Sequence, residues 1–437
     1  MEQIWWASKD TFRLLGSWMD VDQERDMSMR SAFKGEAASL GQCGSLKRRD
    51  ILLGTLGVAA AAVMGPYAVA EAREASVRIP ASVVTDPPRA WGSEASPVMY
   101  PDPDVITIDK AFKDYINEAA AIRRLATGFG WLEGPAWSNE GQYLVFSDTG
   151  ADTQYRLLWD DRRVTAFRRP SYNSNGNTFD FQGRQISTEQ FYRRVVRWEH
   201  DGTMTVIADS FEGSGLNSPN DLVPHPDGSI WFTDPPYGDS LTEGRPDDAG
   251  GLSNPHGLLN AHIGSPAAVV AVKRRLPTNV YRWDTSGSLE VVVTEEQISN
   301  PNGICFSPDY KTLFVIGDDL RIRHGDSGPG VVYAFDVRGR TVGGQRIFTD
   351  MSVDGVHCDP DGMRADVFGN LWCSSAASLG YAGVLVYNAH GKLIGRIRLP
   401  EQCGNVAFGG PKRNMLLMCA SQSLYVLPLE TQGAAPG

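Results

Sequence analysis

The sequence has 437 residues, 42% hydrophobic and 21% charged, which is enough apolar mass for a large core and rules out a disordered chain. The formal net charge is −11 and no basic stripe interleaves with aromatics, which excludes nucleic acid as the natural partner. Forty-six glycines and 26 prolines, spread along the chain, point to many short strands joined by tight turns and so to an all-β fold.

In chain order, residues 1–72 read as an address. Lys47-Arg48-Arg49-Asp50 precedes an apolar run from Ile51 to Val63 that Gly54 and Gly57 interrupt, and Ala68-Val69-Ala70 or Ala70-Glu71-Ala72 supplies small residues for cleavage. Adjacent arginines before a modest apolar segment predict a twin-arginine export signal, and therefore a periplasmic or secreted protein with no stable membrane insertion once the signal is removed. Residues 1–26 are acidic and contain tryptophan, unlike such a leader, so Met27 or Met29 is expected to be the start. Residues 73–118 follow as an arm, extended through Pro80, Pro87, Pro88, Pro97, Pro101 and Pro103. A short helix is expected between Ile108 and Leu125, where apolar residues take a helical spacing. Residues 119–430 form the main domain and residues 431–437 a tail.

The main domain repeats. Six segments share one pattern, a polar head, an apolar strand, a turn and a second apolar strand. They begin at Glu133 (Glu-Gly-Pro-Ala-Trp), Asn175 (Asn-Gly-Asn-Thr-Phe), Asn220 (Asn-Asp-Leu-Val-Pro), Asn302 (Asn-Gly-Ile-Cys-Phe), Asp361 (Asp-Gly-Met-Arg-Ala) and Asn405 (Asn-Val-Ala-Phe-Gly). Further short strands lie between them, at Arg193–Glu199, Val280–Asp284, Val331–Val337 and Val384–Asn388. Four strands per unit and six units predict a six-bladed β-propeller of four-stranded blades. The interval between the third and fourth heads is the longest and accommodates an insertion over about 239–278, a candidate lid or contact surface.

In a propeller the innermost strands line one axis, so the six heads are expected to converge there although they are far apart in sequence. Two carboxylates and four amides make an oxygen-rich ring of the kind that hard cations select, whereas no His/Cys cluster offers a dedicated zinc cage. Asn-Gly and Asp-Gly are also ordinary turn dipeptides, and for Asn175 and Asn405 that reading weighs equally. Glu133, Asn302 and Asp361 stand apart, because glutamate is a poor turn residue and the two carboxylates are expected to face no basic partner, a burial that a cation would offset.

These segments resemble the SMP-30, gluconolactonase and regucalcin family of six-bladed propellers over about residues 100–429. The carriers are Trp131-Leu-Glu-Gly-Pro-Ala-Trp137, Leu216-Asn-Ser-Pro-Asn-Asp-Leu222, Trp231-Phe-Thr-Asp-Pro-Pro-Tyr-Gly238, Pro301-Asn-Gly-Ile-Cys-Phe-Ser-Pro-Asp309, Asp359-Pro-Asp-Gly-Met363 and Asn405-Val-Ala-Phe-Gly-Gly410. The resemblance implies a divalent metal on Glu133, Asn302 and Asp361, with calcium first and zinc, manganese or magnesium as alternatives. It implies a sugar lactone as the small-molecule substrate, opened to the aldonic acid by water that Asp361 helps to activate. Asn220, with Asp221 beside it, is implied to contact substrate or water, and Asn175 and Tyr237 are expected to orient substrate hydroxyls. The chain departs from the pattern at Gln190, where relatives often carry His after Glu, and in the longer insertion after Gly238; both bear on which substrate is taken.

Other readings are weaker. Gly325-Asp-Ser-Gly-Pro329 and Asp148-Thr-Gly150 imitate protease motifs but lack the partners that those chemistries need, so turns are expected at both. Cys305, Cys358, Cys373, Cys403 and Cys419 are an odd set without C-x-x-C spacing, and buried free thiols are preferred to disulfides. The rival functions are hydrolysis of other lactones or esters, and a noncatalytic propeller that binds a sugar or a protein.

Overall fold

The computed structural model describes residues 79–92, 95–238, 276–320 and 328–434. The expected leader, nearly all of the 239–278 insertion and most of Gly325–Pro329 lie outside the described residues. Six antiparallel blade sheets, five of four strands and one of five, follow one another around the ring; in four of them the first strand in the chain is innermost, and the other two carry an earlier strand at their outer edge. Every inner strand adjoins that of the next blade, and the sixth adjoins the first, so the ring is closed.

Blade 1 comprises Leu132–Ser138, Tyr143–Asp148, Thr153–Leu158 and Val164–Arg168; blade 2 comprises Ser174–Phe179, Gln185–Glu189, Arg194–Trp198 and Met204–Ala208. Blade 3 is Leu222–Pro224, Ile230–Thr233, Val280–Trp283 and Leu289–Val293, and blade 4 is Ile304–Phe306, Thr312–Asp318, Gly330–Arg338 and Thr341–Thr349. Met363–Ala365, Leu371–Ser375, Gly383–Tyr387 and Leu393–Arg398 form blade 5. Blade 6 takes Cys403–Gly409, Met415–Ala420 and Ser423–Pro428 from the end of the domain and its outermost strand, Arg123–Thr127, from the start. Thr127 pairs with Ser423 and Arg123 with Val426, so backbone hydrogen bonds between the two ends of the domain hold the ring shut.

The helix expected over Ile108–Leu125 does not form. Only a five-residue 3-10 turn, Lys110–Asp114, appears there, and the end of the expected helix, with Leu125, goes into the Arg123–Thr127 strand. Tertiary pairing to an otherwise open blade edge outweighs a weak helical periodicity. Upstream, Val105–Thr107 adds a fifth strand to blade 5. Buried ion pairs fasten this arm: Arg89 donates to both oxygens of Asp102 (2.8 and 2.9 Å), and Asp104 meets Arg398 at 3.2 Å and the Val83 amide. Burial pushes the Asp104 carboxyl up despite the Arg398 charge.

Second strands are sandwiched between blades, which is why they read as continuous apolar runs rather than alternating ones; Leu144, Val145 and Phe146 are all fully buried. Indoles fill the interfaces. Trp231 packs edge-on to Phe306 between blades 3 and 4, and Trp372 to Phe408 between blades 5 and 6, with ring centroids 5.3 and 5.7 Å apart. Between blades 1 and 2 the apolar cluster shrinks to Ala136, Val145 and Phe179, flanked by Tyr143 and Phe167, and a polar network takes its place. All five cysteines of the described domain are buried free thiols. Among the described residues no helix is long and apolar enough to cross a membrane.

Candidate active site

The six heads stand where the chain enters each inner strand, and hydrogen bonds at or beside several of them join neighbouring blades around the axis. The Gly176 amide donates to the Asn220 carbonyl (2.9 Å), the Gly303 amide to the Asp361 carbonyl (2.8 Å), and the Gly362 amide to the Gly404 carbonyl (2.8 Å). Asn405 Nδ2 then reaches Glu133 Oε2 at 3.4 Å, joining blade 6 to blade 1. Bulges interrupt the strand register at Glu133/Ala136, Ser174/Asn177 and Cys403/Asn405, three of the six heads, and re-aim the side chains there.

Close approach explains the glycines that follow the heads. A Cβ on Gly134, whose φ is +50°, would sit 1.9 Å from the Asn175 carbonyl oxygen, and one on Gly303 would sit 2.4 Å from that of Asp361. The Asn-Gly and Asp-Gly dipeptides that could have been plain turns are therefore places where neighbouring blades approach too closely for a side chain.

Glu133, 3% exposed, is held on several sides. Trp131 Nε1 donates to its Oε1 at 3.1 Å, the Gly134 amide to its Oε2 at 3.3 Å, and a Cβ on Gly404 would lie 2.4 Å from Oε1. The polar network between blades 1 and 2 supports the same corner. Asn177 Nδ2 donates to the carbonyls of Gly134 (2.9 Å) and Asn175 (3.2 Å), while its Oδ1 accepts from Gln154, Gln185 and Ser187. Arg168, which donates to both glutamine carbonyls, stacks on Trp198 and Phe167; burial lowers its pKa to about 10.

Across the axis, Asn302 is presented by a loop that Asn300 fixes. Tyr237 Oη donates to the Asn300 carbonyl (3.0 Å), and Asn300 Nδ2 donates to Asp318, whose carboxyl burial pushes up to about 6. The Asn302 Oδ1 atom is buried with no hydrogen-bond partner. Such an oxygen costs roughly 1–3 kcal/mol unless something electropositive meets it. Asp361 anchors its own end through the Ser374 hydroxyl, which accepts from the Asp361 and Gly362 amides at 3.1 and 3.0 Å. Among the described residues no three His, Cys, Asp or Glu side chains gather as a metal cage, so a cation here draws on amide oxygens too. Two carboxylates, the partnerless Asn302 oxygen and the glycine cradle around Glu133 fit a divalent ion that takes oxygen ligands.

Two expectations change. The ring does face a basic side chain, Arg364, which its place on an inner strand three residues beyond Asp361 could have signalled. Its Nη1 and Nη2 lie 3.2 and 3.4 Å from Asp221 Oδ2 and Oδ1. Burial, the largest single influence, would lower the Arg364 pKa, but the charge and hydrogen bond of Asp221, with smaller contributions from Cys305 and Glu133, together outweigh it and raise it. Asp221, 1% exposed, also accepts from the amides of Leu222 (2.9 Å) and Ile304 (3.2 Å), so protein donors occupy its carboxylate. Gln190 is fully buried and packs on Gly238, beside Tyr237. Asp148 of the Asp-Thr-Gly string accepts from the amides of Gly130 and Trp131, as a turn-holding carboxylate does.

Residues 131–422 match the family model of the SMP-30/gluconolactonase/LRE-like region. The chain belongs to this family. It is 27% identical over 341 residues to a gluconolactonase of Zymomonas mobilis subsp. mobilis, which spans 73% of this chain and 84% of that protein. A solved gluconolactonase from Xanthomonas campestris superposes with a TM-score of 0.60 at 29% identity, covering 76% of this chain and 98% of the other. A calcium-binding regucalcin from Agrobacterium tumefaciens shares the fold, with a TM-score of 0.52 at 19% identity over 72% of this chain and 97% of that one. The family match thus begins at Trp131, the donor to Glu133, and takes in all six heads.

Proposed function

We propose that this protein hydrolyses lactones, opening the cyclic ester of a sugar acid, with Glu133, Asn302 and Asp361 holding a divalent cation at the mouth of the propeller axis. The observation that carries the reading is the buried, partnerless Oδ1 of Asn302 in the same closed ring of inner strands as two carboxylates, Glu133 and Asp361. Membership of a family with two relatives named gluconolactonase supports the lactone as substrate class. Calcium is the first choice of cation, supported by the oxygen-only donor set.

When bound, the cation supplies Lewis-acid polarisation of an ester carbonyl. Asp361 takes the proton from the attacking water, and the amide groups of Asn220 and Asn175 orient the hydroxyls of the sugar ring. Water oxygen bonds to the carbonyl carbon, the ring C–O bond breaks, and the departing oxygen receives the proton. The aldonic acid then ionises, releasing one proton per turnover. Tyr237 serves this site through Asn300, by fixing the loop that presents Asn302. The substitution Asp361→Asn is expected to abolish turnover with an unchanged circular-dichroism spectrum. A pH-indicator assay against aldonolactones and aliphatic lactones, run with chelator and then with calcium, zinc, manganese or magnesium, tests substrate and metal together. If no lactone is opened under any of these conditions while a sugar or protein still binds, the noncatalytic reading replaces this one. The proposal extends to export: Arg48→Lys with Arg49→Lys should retain the protein in the cytoplasm, as cell fractionation would show.

A further inference from the structure

We propose that Asp221 and Arg364 form a cross-blade tie beneath the ring that sets the spacing of Asn220, Asn302 and Asp361, which makes Arg364 a positioning residue of the site. One carboxylate here serves three consecutive blades. On blade 3, Asp221 follows Asn220 directly and receives the Leu222 amide at 2.9 Å. On blade 4, the Ile304 amide, two residues beyond Asn302, donates to Asp221 Oδ2 at 3.2 Å. On blade 5, Arg364, three residues beyond Asp361, donates to both oxygens at 3.2 and 3.4 Å and returns Nη1 to the Met363 carbonyl at 2.7 Å.

Both partners are nearly inaccessible, at 1% for Asp221 and 8% for Arg364, so solvent does little to screen the pair. A planar guanidinium with two nitrogens on one carboxylate fixes angle as well as distance, which an ammonium group cannot do. The apolar inter-blade clusters hold the blades together whether or not the tie exists, but hydrophobic contacts are non-directional and do not fix the angle at which the heads meet. The direct backbone bond between the heads, from the Gly303 amide to the Asp361 carbonyl, links only blades 4 and 5. Asp221 ties the inner strand of blade 3, and with it Asn220, directly to the inner strands of the other two. The pair is also neutral overall, so it can fix geometry without altering the charge that Glu133 and Asp361 present to a cation.

This inference rests on the proposed lactonase site, and the test separates the two. The double variant Asp221→Asn/Arg364→Met removes both charges of the tie and leaves the net charge of the ring unchanged. It is expected to fold with a Tm within a few degrees of the parent. Calcium affinity measured by calorimetry should weaken at least tenfold and kcat should fall at least tenfold. Amide hydrogen exchange at residues 220–222, 302–304 and 361–364 should speed up, while exchange in the outer strands stays as it was. Arg364→Lys, which keeps the charge without the fork, guards against a double variant that fails to fold; it should retain the Tm and fall between parent and double variant in calcium affinity and kcat. Parent-like calcium affinity, kcat and exchange in a folded double variant would overturn the tie and leave the pair a structural ion pair. Should the parent itself neither bind calcium nor open any lactone, the lactonase reading fails, and exchange at the three segments still decides whether the tie sets their order.

Discussion

Gly404→Ala offers a sharp test of whether the position of Glu133 matters. The φ of Gly404 is not in the left-handed region, so alanine suits its backbone, and the one severe conflict is the new Cβ at 2.4 Å from Glu133 Oε1; Cδ and the Leu132 carbonyl oxygen lie at 3.3 and 3.4 Å. Restoring ordinary van der Waals separation moves Oε1 by about 1 Å. That shift pulls the carboxylate off Trp131 Nε1, now 3.1 Å away, at a cost of about 1 kcal/mol. Replacing glycine returns roughly 0.4–1 kcal/mol by restricting the unfolded chain, so stability should barely change. A misplacement of about 1 Å in a catalytic constellation costs about 100-fold, or roughly 2.7 kcal/mol of transition-state stabilisation. Gly404→Ala is thus expected to keep its Tm, lose about 100-fold in kcat/KM toward the best lactone in the pH-indicator assay, and bind calcium more weakly by calorimetry. A folded variant with parental kcat/KM and calcium affinity would refute the placement of Glu133 in the working site.

Three further outcomes are expected. Prolonged chelation followed by desalting should remove lactonase activity, and calcium should restore it; activity that survives a metal-free preparation would exclude the cation from the reaction. Burial pushes the fully enclosed Asp234 carboxyl from the usual 3.8 up to about 7, against the opposing amides of Asn217 and Ser218 and the charge of Arg193. Because the folded value lies above the unfolded one, the native state binds the extra proton; this contribution is complete below about pH 4 and is lost as pH rises through about 7, a swing on the order of 4 kcal/mol. Asp234→Asn should flatten that part of the stability profile in urea titrations from pH 4 to 8, and parallel profiles would contradict it. Arg89→Met leaves Asp102 and Asp104 buried without their shared cation and should lower the unfolding free energy by about 3–5 kcal/mol in denaturant; a loss below 1 kcal/mol would show that the arm is not clamped there.

The blades were legible in the sequence because each is a local event. Residues 144–146 and 371–373 are unbroken apolar runs because they are enclosed on both faces, and turns such as His225-Pro-Asp-Gly228, with φ +86° at Gly228, close hairpins of this kind. The heads were legible for the same reason: a polar residue recurring at one place in six units ends up around one axis once the ring closes. Strand Arg123–Thr127 was misread because its edge partner, Ser423–Pro428, lies at the far end of the chain, and a short apolar segment takes the structure of whatever edge it completes. The partners of the heads were equally out of reach. That Arg364 meets Asp221, that Gly404 abuts Glu133, and that Asn177 supports Gly134 are contacts between blades, set by how six sheets pack about an axis. Residue types and their spacing along one strand determined which oxygens the ring contains; only packing across strands decided which of them are already occupied, as at Asp221, and which, as at Asn302 Oδ1, have no protein donor.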